Sequence, residues 1–137
     1  MNKLALGTVQ FGMPYGIANN SGKIDFEEAS DILNLAKLND VNTLDTAIGY
    51  GDSEQVLGQI GTDDFQIITK LPAAPDNLRG YVGWVEDKVY QSLEKLKKNS
   101  LYGFLFHKPS QLLDKNGNEL YKALDGFKSQ GLIKNIG

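Results

Sequence analysis

Asp45, Tyr50, Lys70 and His107 are residues of the types that move protons, and each stands at or just past the end of a short apolar run. Together they define a chemistry. A tyrosine, with a reference pKa of about 10, is a poor acid at neutral pH, but an adjacent ammonium favours its phenolate and a carboxylate can hold that ammonium in place. The product is a general acid able to protonate an oxygen that is becoming an alkoxide. An imidazole nitrogen can donate a second hydrogen bond to the same oxygen and polarise a carbonyl. Taken singly, each residue has a blander account: Asp45 as a helix cap, Tyr50 as amphipathic packing, Lys70 as a solvated cation and His107 as a satisfied polar side chain. Four titratable groups at successive strand ends are harder to attribute to packing. With one histidine and no cysteine, a zinc site is poorly supported and no metal is expected.

The elements that must position these groups follow from the apolar pattern. Residues 41–54, VNTLDTAIGYGDSE, pass from a strand-like run through Asp45 and Tyr50 and across two glycines to Asp52 or Ser53, either of which can cap a following helix. An acid within an apolar run needs a partner, because desolvating an unpaired carboxylate is expensive. Upstream, residues 4–9 read as a buried strand, followed by the long glycine- and asparagine-containing connection QFGMPYGIANNSGK. Asp25 then caps a helix, with Glu28 three residues on as in a capping box and an apolar stripe of Ala29, Ile32, Leu33, Ala36 and Leu38. The helix should end near Asn39 and Asp40.

Downstream, a short helix through Val56 and Leu57 ends at Gly61, and residues 65–69 form a third strand with Lys70 at its end. Pro72, Pro75 and Asn77 mark a loop. A helix over residues 80–98 follows, with Val82, Val85, Val89, Leu93 and Leu96 near helical spacing. Residues 102–106 form a fourth strand running into His107, with Pro109 blocking its continuation. A helix over residues 116–130 buries Leu120, Leu124 and Phe127 and closes at Gly131, and a fifth strand begins at residues 132–136.

Composition narrows the class. A chain of 137 residues forms one domain, and 41% hydrophobic residues suit a folded protein. A net charge of −3 provides no basic footprint for nucleic acid, and Lys95, Lys97 and Lys98 sit at a predicted helix end, where cations suit the dipole. The absence of cysteine fits a reducing compartment. Gly7, Gln10 and Gly12 interrupt the N-terminal apolar residues before a signal-peptide core can form, and no run reaches membrane-spanning length. A soluble cytoplasmic protein is expected.

Strand and helix alternate four times before the fifth strand, the pattern of parallel βα units joined by right-handed crossovers. Two closures fit: an open sheet covered on both faces, or a barrel. A complete eight-stranded barrel takes about 250 residues, so this chain supplies a little over half of one. The first and fifth strands would then present edges that need partners.

Several segments carry a family resemblance. DTAIGYGDSE, from Asp45, is similar to the DTA-x-x-YG-x-SE signature of the aldo/keto reductases. Weaker matches follow in order: LALGTVQFG at the start, ITKL with Lys70, SLEKL, FLFH ending at His107, and GLIKNIG at the end. The resemblance implies a (β/α)8 TIM barrel that reduces an aldehyde or ketone with NADPH, or runs the reverse reaction. The catalytic tetrad would fall on Asp45, Tyr50, Lys70 and His107. In the family Tyr50 would be the proton donor, Lys70 and Asp45 would tune it, and His107 would orient or polarise the carbonyl. Gly7, Thr8 and Asp45 would lie near the nicotinamide end of the cofactor.

Two departures accompany it. Gly103 in YGFLFH stands where many family members carry an acid. The chain also ends before the segments that hold most of the cofactor, and no Gly-x-Gly-x-x-Gly element replaces them. The expectation is a partial (β/α)8 barrel of about four βα units plus the start of a fifth strand. Residues 1–137 would be the N-terminal, truncated portion of a reductase with an incomplete NADPH site and little activity in isolation. A non-catalytic half-barrel that self-associates through its edges is the alternative.

Overall fold

The computed structural model describes residues 3–76 and 78–137. Among them, five strands form one parallel sheet: β1 (Leu6–Gly7), β2 (Thr43–Asp45), β3 (Gln66–Leu71), β4 (Leu101–Phe106) and β5 (Ile133–Ile136). They lie side by side in chain order. That order selects between the two closures, because a doubly wound sheet reverses direction at a switch point, whereas here every crossover steps the same way. Right-handed crossovers then lay the helices on one face. Accordingly α2 (Phe26–Leu38) packs on α3 (Ser53–Ile60), α3 on α4 (Tyr81–Leu96), and α4 on α5 (Gly117–Ser129). The architecture is a partial (β/α)8 barrel wall.

The core lies between sheet and helices. Leu44, Ile67, Leu71, Leu101, Phe104 and Ile133 meet Leu57, Val85, Val89, Leu96 and Leu124, all essentially inaccessible to solvent. Burying each such side chain contributes about 1.5–3 kcal/mol. The helix start at Asp25 is as expected: its carboxylate accepts from the Glu28 N–H at 2.8 Å. Gly61 and Gly131, with φ of 95° and 77°, follow α3 and α5.

Some expectations are corrected. The first strand is two residues long, because the Phe11 N–H bonds back to the Thr8 carbonyl and the Met13 N–H to that of Val9, winding a short helix α1 (Val9–Gly12) that drives Phe11 into the core. Leu38 is exposed: two residues beyond the buried Ala36, it is rotated by about 200° to the outer face. Val82 is also exposed, on the rim of an open cleft between α4 and α5. At the fourth strand's exit the strand stops before Pro109, as expected, and Pro109 opens a 3₁₀ helix (Pro109–Leu113). Asn77, expected in the loop after the third strand, lies outside the described residues.

Candidate active site

Strand register brings the polar residues to one end of the sheet. Gly7 pairs with Asp45 and Asp45 with Ile68, while Lys70, two residues further along β3, pairs with Leu105. His107, the residue after β4, is held beside the end of β3 by its N–H bond to the Leu71 carbonyl at 3.0 Å. Alternation then sorts the side chains. Ile67, Thr69 and Leu71 turn towards the helices and are buried, so Lys70 between them turns to the concave face.

On that face Lys70 Nζ donates to Asp45 Oδ1 and to the Thr46 carbonyl, the latter at 2.8 Å. The same ammonium lies 5.0 Å from the centroid of the Tyr50 ring, within cation–π range. Tyr50 in turn meets His107 edge to face, with centroids 5.7 Å apart and planes at 89°. All four residues singled out in the sequence therefore form one continuous group of carboxylate, ammonium, phenol and imidazole. Lys70 retains 15% of its side-chain exposure and Asp45 34%, so the pair is screened from water but not sealed from a ligand.

The Tyr50 loop is fixed by its backbone. The Ile48 N–H reaches the Lys70 carbonyl, the Tyr50 N–H the Ala47 carbonyl, and the Ser53 N–H the Tyr50 carbonyl. Beneath it Gly12 approaches so closely that a Cβ there would stand 1.7 Å from the Tyr50 carbonyl oxygen. Gly51 returns the contact at φ 59°, where a Cβ would stand 2.3 Å from the Gly12 carbonyl oxygen. Only two bare backbones fit. Asp52 occupies the N-cap position of α3, yet its carboxylate makes no cap bond and instead pairs with Lys23 at 2.6 Å, tying the long first connection to this loop.

The three residues expected near a cofactor have different settings. Gly7 is exposed at the end of β1, and a Cβ there would meet nothing within 4 Å, which leaves open space beside Asp45. Thr8 is fully buried, and both its N–H and its hydroxyl donate to the Asp45 carbonyl at 3.0 Å. Of the aromatics near the site in sequence, Phe11 is core, Trp84 packs against the core and Tyr15 is exposed.

Sequence reasoning passed over the polar layer behind the sheet. Ser53 Oγ lies 2.9 Å from the Thr8 carbonyl, 3.0 Å from Thr8 Oγ1 and 3.0 Å from Thr46 Oγ1. Glu54 Oε1 accepts from the Thr69 hydroxyl at 2.6 Å. Every one of these side chains is at most 3% exposed. The available signal was that Thr8, Thr46 and Thr69 each adjoin a candidate site residue in the chain.

A model of the aldo/keto reductase family matches residues 3–137. The chain belongs to the aldo/keto reductase family. A protein of Pseudomonas aeruginosa assigned to the aldo-keto reductases shares 30% identity with a TM-score of 0.80, over 97% of this chain and 53% of its own. An aldo-keto reductase from Bacillus halodurans (20% identity, TM-score 0.73, 98% and 45% covered) and the glycerol dehydrogenase of Gluconobacter oxydans (20%, 0.70, 97% and 43%) share the fold. The chain thus spans about half the length of these reductase-fold structures. No match to a curated protein reaches significance. Among the described residues, no helix is long and apolar enough to cross a membrane.

Proposed function

We propose that residues 1–137 form the N-terminal portion of a barrel that reduces the carbonyl of a small aldehyde or ketone with NADPH, and that they carry its proton-donating site. The observation that carries this reading is the Asp45–Lys70 ion pair set against the Tyr50 ring, with the His107 ring perpendicular to it. In this reading the Tyr50 hydroxyl gives its proton to the carbonyl oxygen as that oxygen gains charge. The Lys70 ammonium stabilises the phenolate left behind, and Asp45 together with the Thr46 carbonyl holds the ammonium in place. His107 donates to the carbonyl oxygen and orients it. When bound, the nicotinamide would supply the hydride to the carbonyl carbon. The open surface at Gly7 and the inward-facing Asp45 fit the nicotinamide end of such a cofactor, with Thr8 behind them fixing Asp45. No glycine-rich motif in the sequence fits a dinucleotide diphosphate, so the remaining anchors belong to other strands of the barrel. Dependence on NADPH and the absence of cysteine support a cytoplasmic setting.

Titration of a complete reductase barrel carrying these residues with NADPH, followed by addition of an aldehyde panel, tests the proposal. Saturable binding with carbonyl-dependent oxidation that fails in Tyr50→Phe supports it. Failure of that complete barrel to bind NADPH or to oxidise it with any carbonyl supports instead a non-catalytic, self-associating half-barrel, a reading favoured by one observation: β1 and β5 each pair with a single strand among the described residues.

A further inference from the structure

The signature stretch ends in Ser53 and Glu54, two polar residues that the proton-transfer chemistry does not use, yet both are buried in the first turn of α3. Their partners are Thr8, Thr46 and Thr69. Alternation gives those partners a common meaning. Thr8 follows Gly7, Thr46 follows Asp45 and Thr69 precedes Lys70, so each threonine points to the helix side of the sheet directly behind a residue that faces the site. One turn of one helix is therefore bonded to three successive strands at their site-bearing positions.

The hydroxyl protons admit a closed arrangement. Each hydroxyl has one proton to give. Thr8 donates its hydroxyl proton to the Asp45 carbonyl and Ser53 can donate to that Thr8 hydroxyl at 3.0 Å, which leaves Thr46 as the donor to Ser53. The relay runs from the residue after Asp45, through α3, back to the carbonyl of Asp45 itself. Removing one member leaves a buried partner without its bond, which costs more than the bond's net worth. Tyr50 rides on this turn, because its carbonyl accepts from the Ser53 N–H at 3.1 Å.

We propose that Ser53 and Glu54, acting through Thr8, Thr46 and Thr69, are positioning residues that set the Tyr50 loop over Lys70 and against His107. The assignment rests on the catalytic reading of that group, but its test does not need turnover. His107 is the chain's single histidine, so its imidazole proton signals are unique in an NMR spectrum, and Tyr50 presents its ring edge to face 5.7 Å away. Tyr50→Leu supplies the reference spectrum without that ring. In Ser53→Ala and in Thr69→Val, which removes a hydroxyl at nearly constant shape, the His107 signals should move at least half-way to the reference. Thr69→Ser, which restores the donor to Glu54, should return them to the wild-type position. Val89→Ala, a cavity in α4 that touches none of these hydroxyls, should leave them in place.

Folded Ser53→Ala or Thr69→Val protein with wild-type His107 signals removes that arm of the brace from the assignment. Equal movement in Val89→Ala, or unfolding of both brace variants while Val89→Ala stays folded, makes the network a stability element only and overturns the proposal. A complete reductase barrel carrying these residues whose Tyr50→Phe form reduces carbonyls as fast as the parent would overturn the catalytic reading, while the expected shifts would leave the brace standing.

Discussion

Lys70 ties Asp45 to Tyr50, because its ammonium is bonded to Asp45 and the Thr46 carbonyl and also faces the Tyr50 ring. Lys70→Met removes all three interactions at once. The cost should fall between that of a surface pair and that of a sealed one, about 1–3 kcal/mol, since Asp45 keeps enough exposure to regain water. Urea unfolding measures it, and a loss below about 0.5 kcal/mol would show that the pair does not hold the site together. In a complete reductase barrel carrying these residues, Tyr50→Phe should leave cofactor binding intact while slowing carbonyl reduction by about 10²–10⁴-fold, the range for loss of a general acid. Unchanged turnover would remove Tyr50 from the proton-donor role. At this scale the gathering of Asp45, Tyr50, Lys70 and His107 was legible because four titratable residues fell at or just past successive predicted strand ends, where a parallel sheet brings them together. The threonines were not. Thr is an ordinary strand residue, and only the face each one takes, together with the turn of α3 it meets, distinguishes a brace from a β-branched filler. Gly103 is legible only in the structure: a Cβ there would lie 3.2 Å from Ile68 Cγ1, so the acid expected at this position would need Ile68 to move.

Elements were legible where local chemistry and periodicity agreed. Asp25 shows both, and Asp25→Ala should cost about 1 kcal/mol by leaving the Glu28 N–H without its partner. Elements were misjudged where a tertiary contact overrode the local pattern. The run LALGTV looks like one strand, but burial of Phe11 pulls Val9 into α1, and α1 is what brings Gly12 beneath the Tyr50 loop. Two alanine substitutions separate these roles. Gly12→Ala would drive a Cβ into the Tyr50 carbonyl and should cost about 1–3 kcal/mol or more through displacement of the loop. Gly7→Ala meets open space and should change stability by less than about 0.5 kcal/mol. Comparable thermal shifts in the two variants would contradict this account of α1. If Gly7 borders the nicotinamide, its alanine variant should nevertheless weaken NADPH binding in the complete barrel.

For the whole molecule, the four strand-helix alternations alone left barrel and open sheet both open, the family resemblance pointed to the barrel, and the sequential strand order with the helices packing in a single row bears it out. That geometry leaves two edges and a concave face on which Ile68 and Leu105 are half-exposed beside Lys70. Unpaired backbone groups on a sheet edge and adjacent apolar surface both favour association. The isolated 137-residue chain should therefore self-associate at micromolar concentration, and light scattering that gives a folded monomer would contradict this. Its turnover should be nearly absent even where binding of a nicotinamide fragment is detectable. Lys70 and His107 both adjoin Tyr50, so the proposed proton-donating group is assembled, but hydride transfer depends on the ring being held at reacting distance, and an error of about 1 Å costs about 10²-fold. In the proposed placement Gly7 and Asp45 border the nicotinamide end alone, and the rest of the cofactor is left to other strands of the barrel. NADPH absorbance followed with a panel of aldehydes decides the matter: turnover by the purified chain equal to that of a complete reductase, and lost in Tyr50→Phe, would show that five strands suffice to position both reactants.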